Sequence, residues 1–203
     1  MLMKILILFF SYILGSVPVG RLVARARGID IEKTGSGNVG ATNVARSVGA
    51  GAGLITLGGD VLKGMLSAWL GYWFFQDIGG AALAGMLAVC GHCFSIPGFS
   101  KGGKGVATSL GAITVVSPLL GGCALGAFAA VFLLFRTVSI ASISAALAVP
   151  VAAIWFGLPT RTLLPIVGIA LLIVQRHKPN IVRILKGEEP RFSLKGKAAT
   201  GDN

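Results

Sequence analysis

Long apolar stretches, some with a single charged interruption, dominate the sequence. They lie near residues 2–19, 49–75, 78–97, 105–135, 138–157 and 162–175. Only 12% of the residues are charged, whereas a soluble domain carries about 25%. A chain of this kind cannot cover itself with polar surface, and stretches near twenty residues fit a bilayer core of about 30 Å. The sequence therefore predicts an all-α integral membrane protein.

The number of spans depends on the uncharged run 105–135. As one helix it would extend about 45 Å, which is longer than the bilayer core. Pro118 and the Gly121-Gly122 pair favour a break, which gives about seven transmembrane helices. Five spans, with 162–175 not crossing, is the alternative.

The basic residues are concentrated in three segments, 20–47, 98–105 and 176–197, which hold 14 of the 18 lysines and arginines. An odd number of spans with the N-terminus outside places all three in the cytosol, as the positive-inside rule requires, and makes the C-terminus cytosolic. Six spans would leave the last basic segment outside. The N-terminal stretch lacks a clear cleavage site, so we interpret it as the first span and not as a signal peptide.

The first polar segment that could carry chemistry is residues 35–46. It alternates glycine with Ser, Asn and Thr, which favours a concave loop of hydrogen-bond donors suited to an anion. Thr42 suits the N-cap of a helix in which Asn43 and Arg46 share a face. A flexible loop without a ligand is the alternative.

The second segment is Lys101-Gly102-Gly103-Lys104-Gly105, at the start of the next apolar stretch. Glycine N–H groups, a helix N-terminus and two lysines together favour phosphate. The spacing from Gly98 matches the start of a nucleotide-binding P-loop, but Gly105 stands where Ser or Thr would bind magnesium, and no strand precedes it. The segment predicts a phosphate cradle and not a nucleoside triphosphate site.

The third segment, residues 176–188, predicts a short amphipathic helix on the cytosolic surface. Pro179 suits its first turn and Gly187 its end. His177 and Asn180 are three residues apart, so they would point the same way. A basic surface helix without a catalytic role is the alternative.

Two further features have both a structural and a functional interpretation. Asp60 and Lys63 in the second span share a helix face and form either a structural ion pair or the edge of the site. His92, where its span meets the second segment, is interpreted as a hydrogen-bonding residue and not as a catalyst. Cys90 and Cys93 have redox C-x-x-C spacing, but no βαβ pattern surrounds them.

The residue types limit the chemistry. The sequence contains no Ser-His-Asp set, no cysteine nucleophile placed with a base, no paired carboxylates and no metal-ligand cluster. The His-x-x-x-x-Asp acyltransferase signature is also absent, because Pro97 and Val182 stand five residues after His92 and His177. What remains is positioning phosphates and moving one proton, with no cofactor or metal.

The three segments resemble the bacterial acyl-phosphate-dependent glycerol-3-phosphate acyltransferase family. The matching residues are G-S-G-N-V-G-A-T-N-V-A-R at 35–46, D-V-L-K-G at 60–64, G-H at 91–92, G-G-K-G-V-A-T at 102–108 and R-H-K-P-N-I-V-R-I-L-K-G-E at 176–188. The resemblance implies transfer of an acyl group from fatty acyl phosphate to the 1-hydroxyl of glycerol 3-phosphate. The products would be lysophosphatidate and phosphate, in the first committed step of phospholipid synthesis.

The resemblance also implies roles for individual residues. The catalytic residues would be His177, Asn180, Ser36, Arg46 and Lys104. The substrate-binding residues would be Asn38, Thr42, Asn43, Gly102, Gly103, Gly105 and Thr108. Glu188 would be structural, and either His177 or the substrate phosphate would accept the proton.

A transporter of a phosphorylated solute and a phospholipid headgroup transferase are the competing classes. Transport predicts charges deep in the spans, where only Asp60 and Lys63 lie, and a headgroup transferase needs paired aspartates for magnesium. Short basic loops with few aromatic residues disfavour nucleic acid.

We expect one acyltransferase domain over residues 1–189 and a cytosolic tail over 190–203. The protein would be multi-pass in the bacterial inner membrane, with its active site on the cytosolic face. Its partners would be the two substrates and membrane lipid, and a soluble enzyme that produces acyl phosphate is a further candidate.

Overall fold

The fold is given by a computed structural model, which describes residues 1–96 and 100–192. Every regular element in these two ranges is an α-helix, as the sequence predicted. The helices are α1 (Leu2–Ser16), α2 (Val19–Arg25), α3 (Ala41–Ser47), α4 (Ala50–Phe75), α5 (Ile78–Cys93), α6 (Val106–Val116), α7 (Pro118–Phe135), α8 (Val138–Trp155), α9 (Thr160–Arg176) and α10 (Lys178–Leu185).

The run 105–135 divides into two helices, as predicted, and the break falls at Ser117. The Ser117 hydroxyl caps α7 by accepting the N–H of Leu120 at 3.4 Å, and Pro118 occupies the first turn, where a missing N–H costs nothing. The glycine pair does not interrupt α7. Gly121 instead lies against Thr114 of α6, where a side chain would collide.

Within the described residues, three stretches are long and apolar enough to cross a membrane: Leu2–Arg25, Pro118–Phe135 and Val138–Trp155. Two other apolar helices, α5 and α6, are shorter. The 11 residues of α6 extend about 16 Å, roughly half of the bilayer core. Large apolar side chains face outward, among them Leu134 (77% exposed) and Trp155 (86% exposed), as lipid contact requires. The total of seven spans and their orientation remain predictions.

Small residues allow the helix backbones to approach closely, as is common in membrane bundles. A side chain at Gly64 of α4 would collide with the backbone of Thr108 in α6. A side chain at Gly111 of α6 would collide with the carbonyl of Val61 in α4. These two close contacts fix α6 against α4, and they thereby fix the position of the loop that precedes α6.

The N-terminal helices place their polar ends on one side of the bundle. Ser95, just after α5, donates a hydrogen bond to the carbonyl of Ser16 at the end of α1, and Lys4 near the start of α1 lies over the ring of Phe75 at the end of α4, so α1 is parallel to α5 and antiparallel to α4. α4 and α5 are joined by a two-residue turn and form a second antiparallel pair. The C-terminal ends of α1 and α5 and the N-terminal part of α4 therefore share one end of the bundle, where the three polar segments meet.

Candidate active site

The side chain of Asn43 organises the first polar segment. Its Nδ2 donates to the carbonyls of Thr34 (3.0 Å) and Asn38 (2.9 Å), and its Oδ1 accepts the N–H of Ser36 (3.0 Å). Asn43 is buried, and these bonds engage both ends of its amide within the loop. The structure therefore shows that Asn43 shapes the loop, and its predicted contact with substrate remains a prediction.

The helix after this loop begins earlier than predicted. α3 starts at Ala41 with Gly40 as its N-cap, so the prediction of Thr42 as the cap is wrong. The cause is local: the side-chain oxygen of Asn38 accepts the N–H of Gly40 at 2.8 Å and fixes that residue in an extended conformation before the first turn. Thr42 lies inside the first turn, and Ser36 is exposed on the loop.

The second segment approaches the end of α5 so closely that only glycine fits. Gly102 has a φ of 74°, and a side chain there would collide with the carbonyl of Cys93. A side chain at Gly103 would collide with Nε2 of His92. The missing side chains of these glycines would point into the protein, whereas the sequence suggested that glycine was needed for approach of a phosphate.

The N–H groups available for an anion are those at the start of α6. Gly102 donates its N–H to Ser100 Oγ (3.3 Å), and Gly103 donates its N–H to the carbonyl of His92 (2.9 Å). Within the described part of the chain, five consecutive N–H groups donate to no protein acceptor, those of residues 104–108. The first N–H groups of a helix attract anions, so this helix end offers the donors that a phosphate could use, and substrate binding by Gly102 and Gly103 remains a prediction.

Thr108 lies in the first turn of α6. It is completely buried where α4 and α6 cross, with its backbone against Gly64. The structure therefore gives Thr108 a place in the helix interface, and its predicted contact with substrate remains a prediction.

Two side chains that the sequence analysis did not select hold the second segment from the outside. Glu32 Oε1 accepts hydrogen bonds from Ser100 Oγ and from the N–H of Lys101, both at 3.1 Å. Arg176 Nε donates to the carbonyl of Gly103 at 3.0 Å. Helix α9 and the stretch just before the first segment are thereby joined to the loop before α6.

The third segment forms α10, with Pro179 in its first turn as predicted. Asn180 is buried on this helix, and its Oδ1 accepts a hydrogen bond from Lys104 Nζ at 2.6 Å. The contact brings together two of the predicted catalytic residues from segments far apart in the sequence.

Glu189 is the structural carboxylate of this segment, and Glu188, the residue predicted, is exposed. Glu189 Oε1 accepts from Asn180 Nδ2 (2.6 Å) and Ser139 Oγ (2.7 Å), and Oε2 accepts from Arg183 Nε (2.7 Å). Burial opposes ionisation of Glu189, but the bonds from Asn180, Ser139 and Arg183 outweigh it and lower the pKa. The charge of Glu189 thus fixes Asn180, and Asn180 in turn holds Lys104.

Lys104 is surrounded by more positive than negative side chains. The pKa of its ammonium is lowered to about 8, chiefly by burial, and among the described residues Glu189 is the carboxylate that opposes this shift. The charges of Arg183, Arg46 and Arg176 contribute to the lowering. Four cations against one carboxylate favour an anion, and a bound phosphate would offset both the mutual repulsion and the lowered pKa.

His177 is buried (2% exposed), beneath the cationic site. Its Nδ1 lies 2.8 Å from the carbonyl of Ile173, and since a carbonyl can only accept, Nδ1 carries the proton and Nε2 is an acceptor. Burial, and after it the charge of Lys104, lower the pKa of the imidazole to about 4. His177 is therefore neutral near pH 7, because it is buried and lies near the charge of Lys104.

Arg46 is oriented by an aromatic ring from beyond the predicted domain boundary. Its guanidinium lies 5.6 Å from the ring centroid of Phe192, which also meets the ring of Phe132 edge-on. The N–H of Phe192 donates to the carbonyl of Arg136 at 2.7 Å. The boundary at residue 189 remains a prediction, and the rest of the predicted tail, 193–203, lies outside the described residues.

The fold and the site together define a class: a helical membrane protein whose polar end gathers a lysine and three arginines around one carboxylate. Across residues 1–96 and 100–192, no group of three or more His, Cys, Asp or Glu side chains could hold a metal ion.

Comparison with known proteins identifies the family. The family model described as glycerol-3-phosphate acyltransferase matches residues 5–187. The chain is 44% identical to a glycerol-3-phosphate acyltransferase of Desulforudis audaxviator over 94% of this chain and 96% of that protein. It is 41% identical to glycerol-3-phosphate acyltransferase 1 of Deinococcus radiodurans over 96% of this chain and 98% of that protein.

A solved structure agrees with the sequence relatives. The crystal structure of PlsY (YgiH), an integral membrane glycerol 3-phosphate acyltransferase in its glycerol 3-phosphate form, superposes with a TM-score of 0.89 at 37% identity. The match covers 94% of this chain and 96% of that one. The lysophosphatidic acid form of PlsY gives a TM-score of 0.87. The chain therefore belongs to the glycerol-3-phosphate acyltransferase family, enzymes of membrane lipid synthesis, as its motifs predicted.

Proposed function

We propose that the protein transfers an acyl group from a fatty acyl phosphate to the 1-hydroxyl of glycerol 3-phosphate. The products are lysophosphatidate and inorganic phosphate, and the reaction is the first committed step of phospholipid synthesis. The observation that carries this proposal is the cationic start of α6, where Lys104 and three arginines face a single carboxylate. Both substrates and one product carry phosphate. The similarity to PlsY, solved in glycerol 3-phosphate and lysophosphatidic acid forms, supports the acceptor and the lipid product.

An acyl phosphate is a mixed anhydride and is already activated for acyl transfer. The hydroxyl oxygen of glycerol 3-phosphate attacks the carbonyl carbon, a C–O ester bond forms, and the C–O bond to phosphate breaks with its electron pair leaving on the phosphate. The protein supplies no nucleophile, metal or cofactor to this step. Its contribution is to hold the two phosphate groups and the attacking hydroxyl in the positions that the reaction requires.

The leaving phosphate takes the hydroxyl proton. The pKa of His177 is about 4 in the protein, whereas the second pKa of a phosphate ester is about 6, so the phosphate is the stronger base. His177 then has a different task. With Nδ1–H donating to Ile173, its Nε2 can accept a hydrogen bond from the substrate hydroxyl and align it.

The remaining residues bind and enclose the substrates. Lys104 and Arg46 bind phosphate oxygens, and Asn180 keeps Lys104 in place. Residues of the two loops border the pocket, namely Ser36, Asn38, Thr42, Gly102, Gly103 and Gly105.

The donor is tested with purified protein in lipid bilayers. Palmitoyl phosphate and glycerol 3-phosphate should give free phosphate and lysophosphatidate in equal amounts, and palmitoyl-CoA should give neither. Lys104→Met is the matched control, since it keeps the length of the side chain and removes its charge. Comparable turnover with palmitoyl-CoA alone would refute the donor assignment.

The site faces the cytosol of a bacterial inner membrane, where a soluble enzyme can deliver the acyl phosphate. The basic segments support this orientation. Gly37→Cys and Lys195→Cys, each in a background without Cys90, Cys93 and Cys123, should be shielded from an impermeant thiol reagent in intact cells and labelled after permeabilisation. Labelling of Lys195→Cys from outside would contradict an odd number of spans.

A further inference from the structure

Three ionisable side chains inside the helix bundle have no part in the proposed reaction. Asp60 and Lys63 of α4 and His92 of α5 are 2%, 4% and 7% exposed. Lys63 Nζ lies 2.9 Å from Asp60 Oδ1, and His92 Nδ1 lies 3.5 Å from the same oxygen. Ionisable groups within membrane helices are costly and usually serve a function, so this cluster calls for one.

The cluster supports the second segment through His92. The N–H of Gly103 donates to the carbonyl of His92, and the imidazole Nε2 lies where a side chain of Gly103 would project. On its other side, Gly103 accepts a hydrogen bond from Arg176. Gly103 is therefore held between the imidazole and the guanidinium, and a turn of the His92 ring would displace it together with Lys104.

The cluster also reaches the first segment. Lys63 Nζ donates to the carbonyl of Val17 at 2.9 Å, in the turn between α1 and α2. Gly20 of α2 in turn lies against the carbonyl of Val39, in the first polar segment. A cavity of about 10 Å³ between the segments is lined by Asp60, Lys63 and His92 and by residues of both loops.

We propose that Asp60, Lys63 and His92 are positioning residues that set the distance of the loop 102–105 from the end of α5. They thereby set the position of the acceptor phosphate. Asp60 orients the imidazole, the imidazole supports Gly103, and Lys63 holds the α1–α2 turn on the opposite side. The identity of the ligand rests on the proposed function. A buried ion pair that only stabilised the fold would be replaceable with little effect on substrate affinity.

The test is a double-mutant cycle between Gly103 and His92. Gly103→Ala should raise KM for glycerol 3-phosphate by about 10- to 100-fold, because its methyl group drives the loop off the imidazole. His92→Ala should raise the same KM by about tenfold. In the double variant the methyl group occupies space that the ring has left, so KM should be no higher than in Gly103→Ala alone. KM for palmitoyl phosphate should stay within about twofold throughout.

Losses that multiply in the double variant would overturn the inference, since they would mean that Gly103 and His92 act independently. Gly58→Ala on α4 is the matched control, because a side chain there meets no neighbour and KM should not change. If His92→Ala does not fold, Asp60→Asn provides the second test: it keeps the shape, removes the charge that holds the ring, and should raise KM for glycerol 3-phosphate only. An equal rise for both substrates would overturn the inference.

Calorimetric binding of glycerol 3-phosphate without an acyl donor separates this inference from the choice of donor. Dissociation constants across the four proteins of the cycle should follow the same pattern as KM. A wild-type protein that binds glycerol 3-phosphate but does not use acyl phosphate would refute the proposed donor and leave the positioning role supported. A wild-type protein that does not bind glycerol 3-phosphate would overturn both.

Discussion

Glu189 is the residue whose replacement tests the electrostatic design of the site most directly. Its carboxylate accepts hydrogen bonds from Asn180, Ser139 and Arg183. Asn180 in turn accepts a hydrogen bond from Lys104 and so holds the ammonium in place. Glu189→Gln keeps the volume of the side chain but replaces one acceptor oxygen with a donor. At least one of the three donors then loses its acceptor.

The expected loss follows from the hydrogen bonds. A bond to a charged group contributes about 1.5–3 kcal/mol, and a lost partner inside the site costs a similar amount. If the transition state depends on the alignment of Asn180 and Lys104, kcat/KM for glycerol 3-phosphate should fall by about 10- to 150-fold. The loss of negative charge also removes the one carboxylate that raises the pKa of Lys104, so that pKa should fall further below about 8.

Glu188→Gln is a control matched in chemistry and sequence position. The Glu188 side chain is exposed, and within the described residues it makes no hydrogen bond or ion pair. Steady-state kinetics in bilayers, with thermal unfolding of each variant, should show Glu188→Gln within about twofold of wild type. Equal losses in the two variants, or a folded Glu189→Gln protein with unchanged kcat/KM, would refute the reasoning.

Three further predictions address other groups of the site. Binding of glycerol 3-phosphate should weaken as pH rises through about 8, where the Lys104 ammonium loses its proton. Lys104→Arg should abolish this weakening because a guanidinium stays charged. A wild-type dissociation constant that does not change between pH 7 and 9 would contradict the prediction. His177→Ala should lower kcat by less than about tenfold, because the imidazole aligns the hydroxyl without taking its proton, and a loss near 10³-fold would make His177 the base. Phe192→Leu should lower kcat/KM by about two- to fivefold through loss of the contact with Arg46, and no change would limit Phe192 to covering the surface.

The positions of the helices could be predicted because their signals are local. Uncharged stretches mark the spans, and Ser117-Pro118 and Pro179 mark helix starts without reference to any distant residue. The meeting of the three polar segments at one end also followed from charge placement, since basic loops share one side of a membrane.

Side-chain partners were not predictable, because they depend on how distant segments meet. Asn43 is a residue type that often binds ligands, yet its amide makes hydrogen bonds within its own loop. Glu32 gives no motif signal, and its role exists only because Ser100 and Lys101 lie beside it in the fold. Glu188 and Glu189 are the same residue type in adjacent positions. Gly187, with a φ of 71°, ends α10 and turns the chain so that only Glu189 faces Asn180.

The glycines of the second segment show how a motif can indicate the right function for an incomplete reason. A run of glycine and lysine suggested a backbone close to phosphate, and the structure shows that a side chain at Gly102 or Gly103 would collide with Cys93 or His92. Glycine is required there because the loop packs against the end of α5. Under the proposed function, recognition of the anion comes from the N–H groups at the start of α6 and from the cations around Lys104. The glycines contribute by bringing that helix end close to α9 and α10, so packing and recognition depend on the same short segment for separate physical reasons.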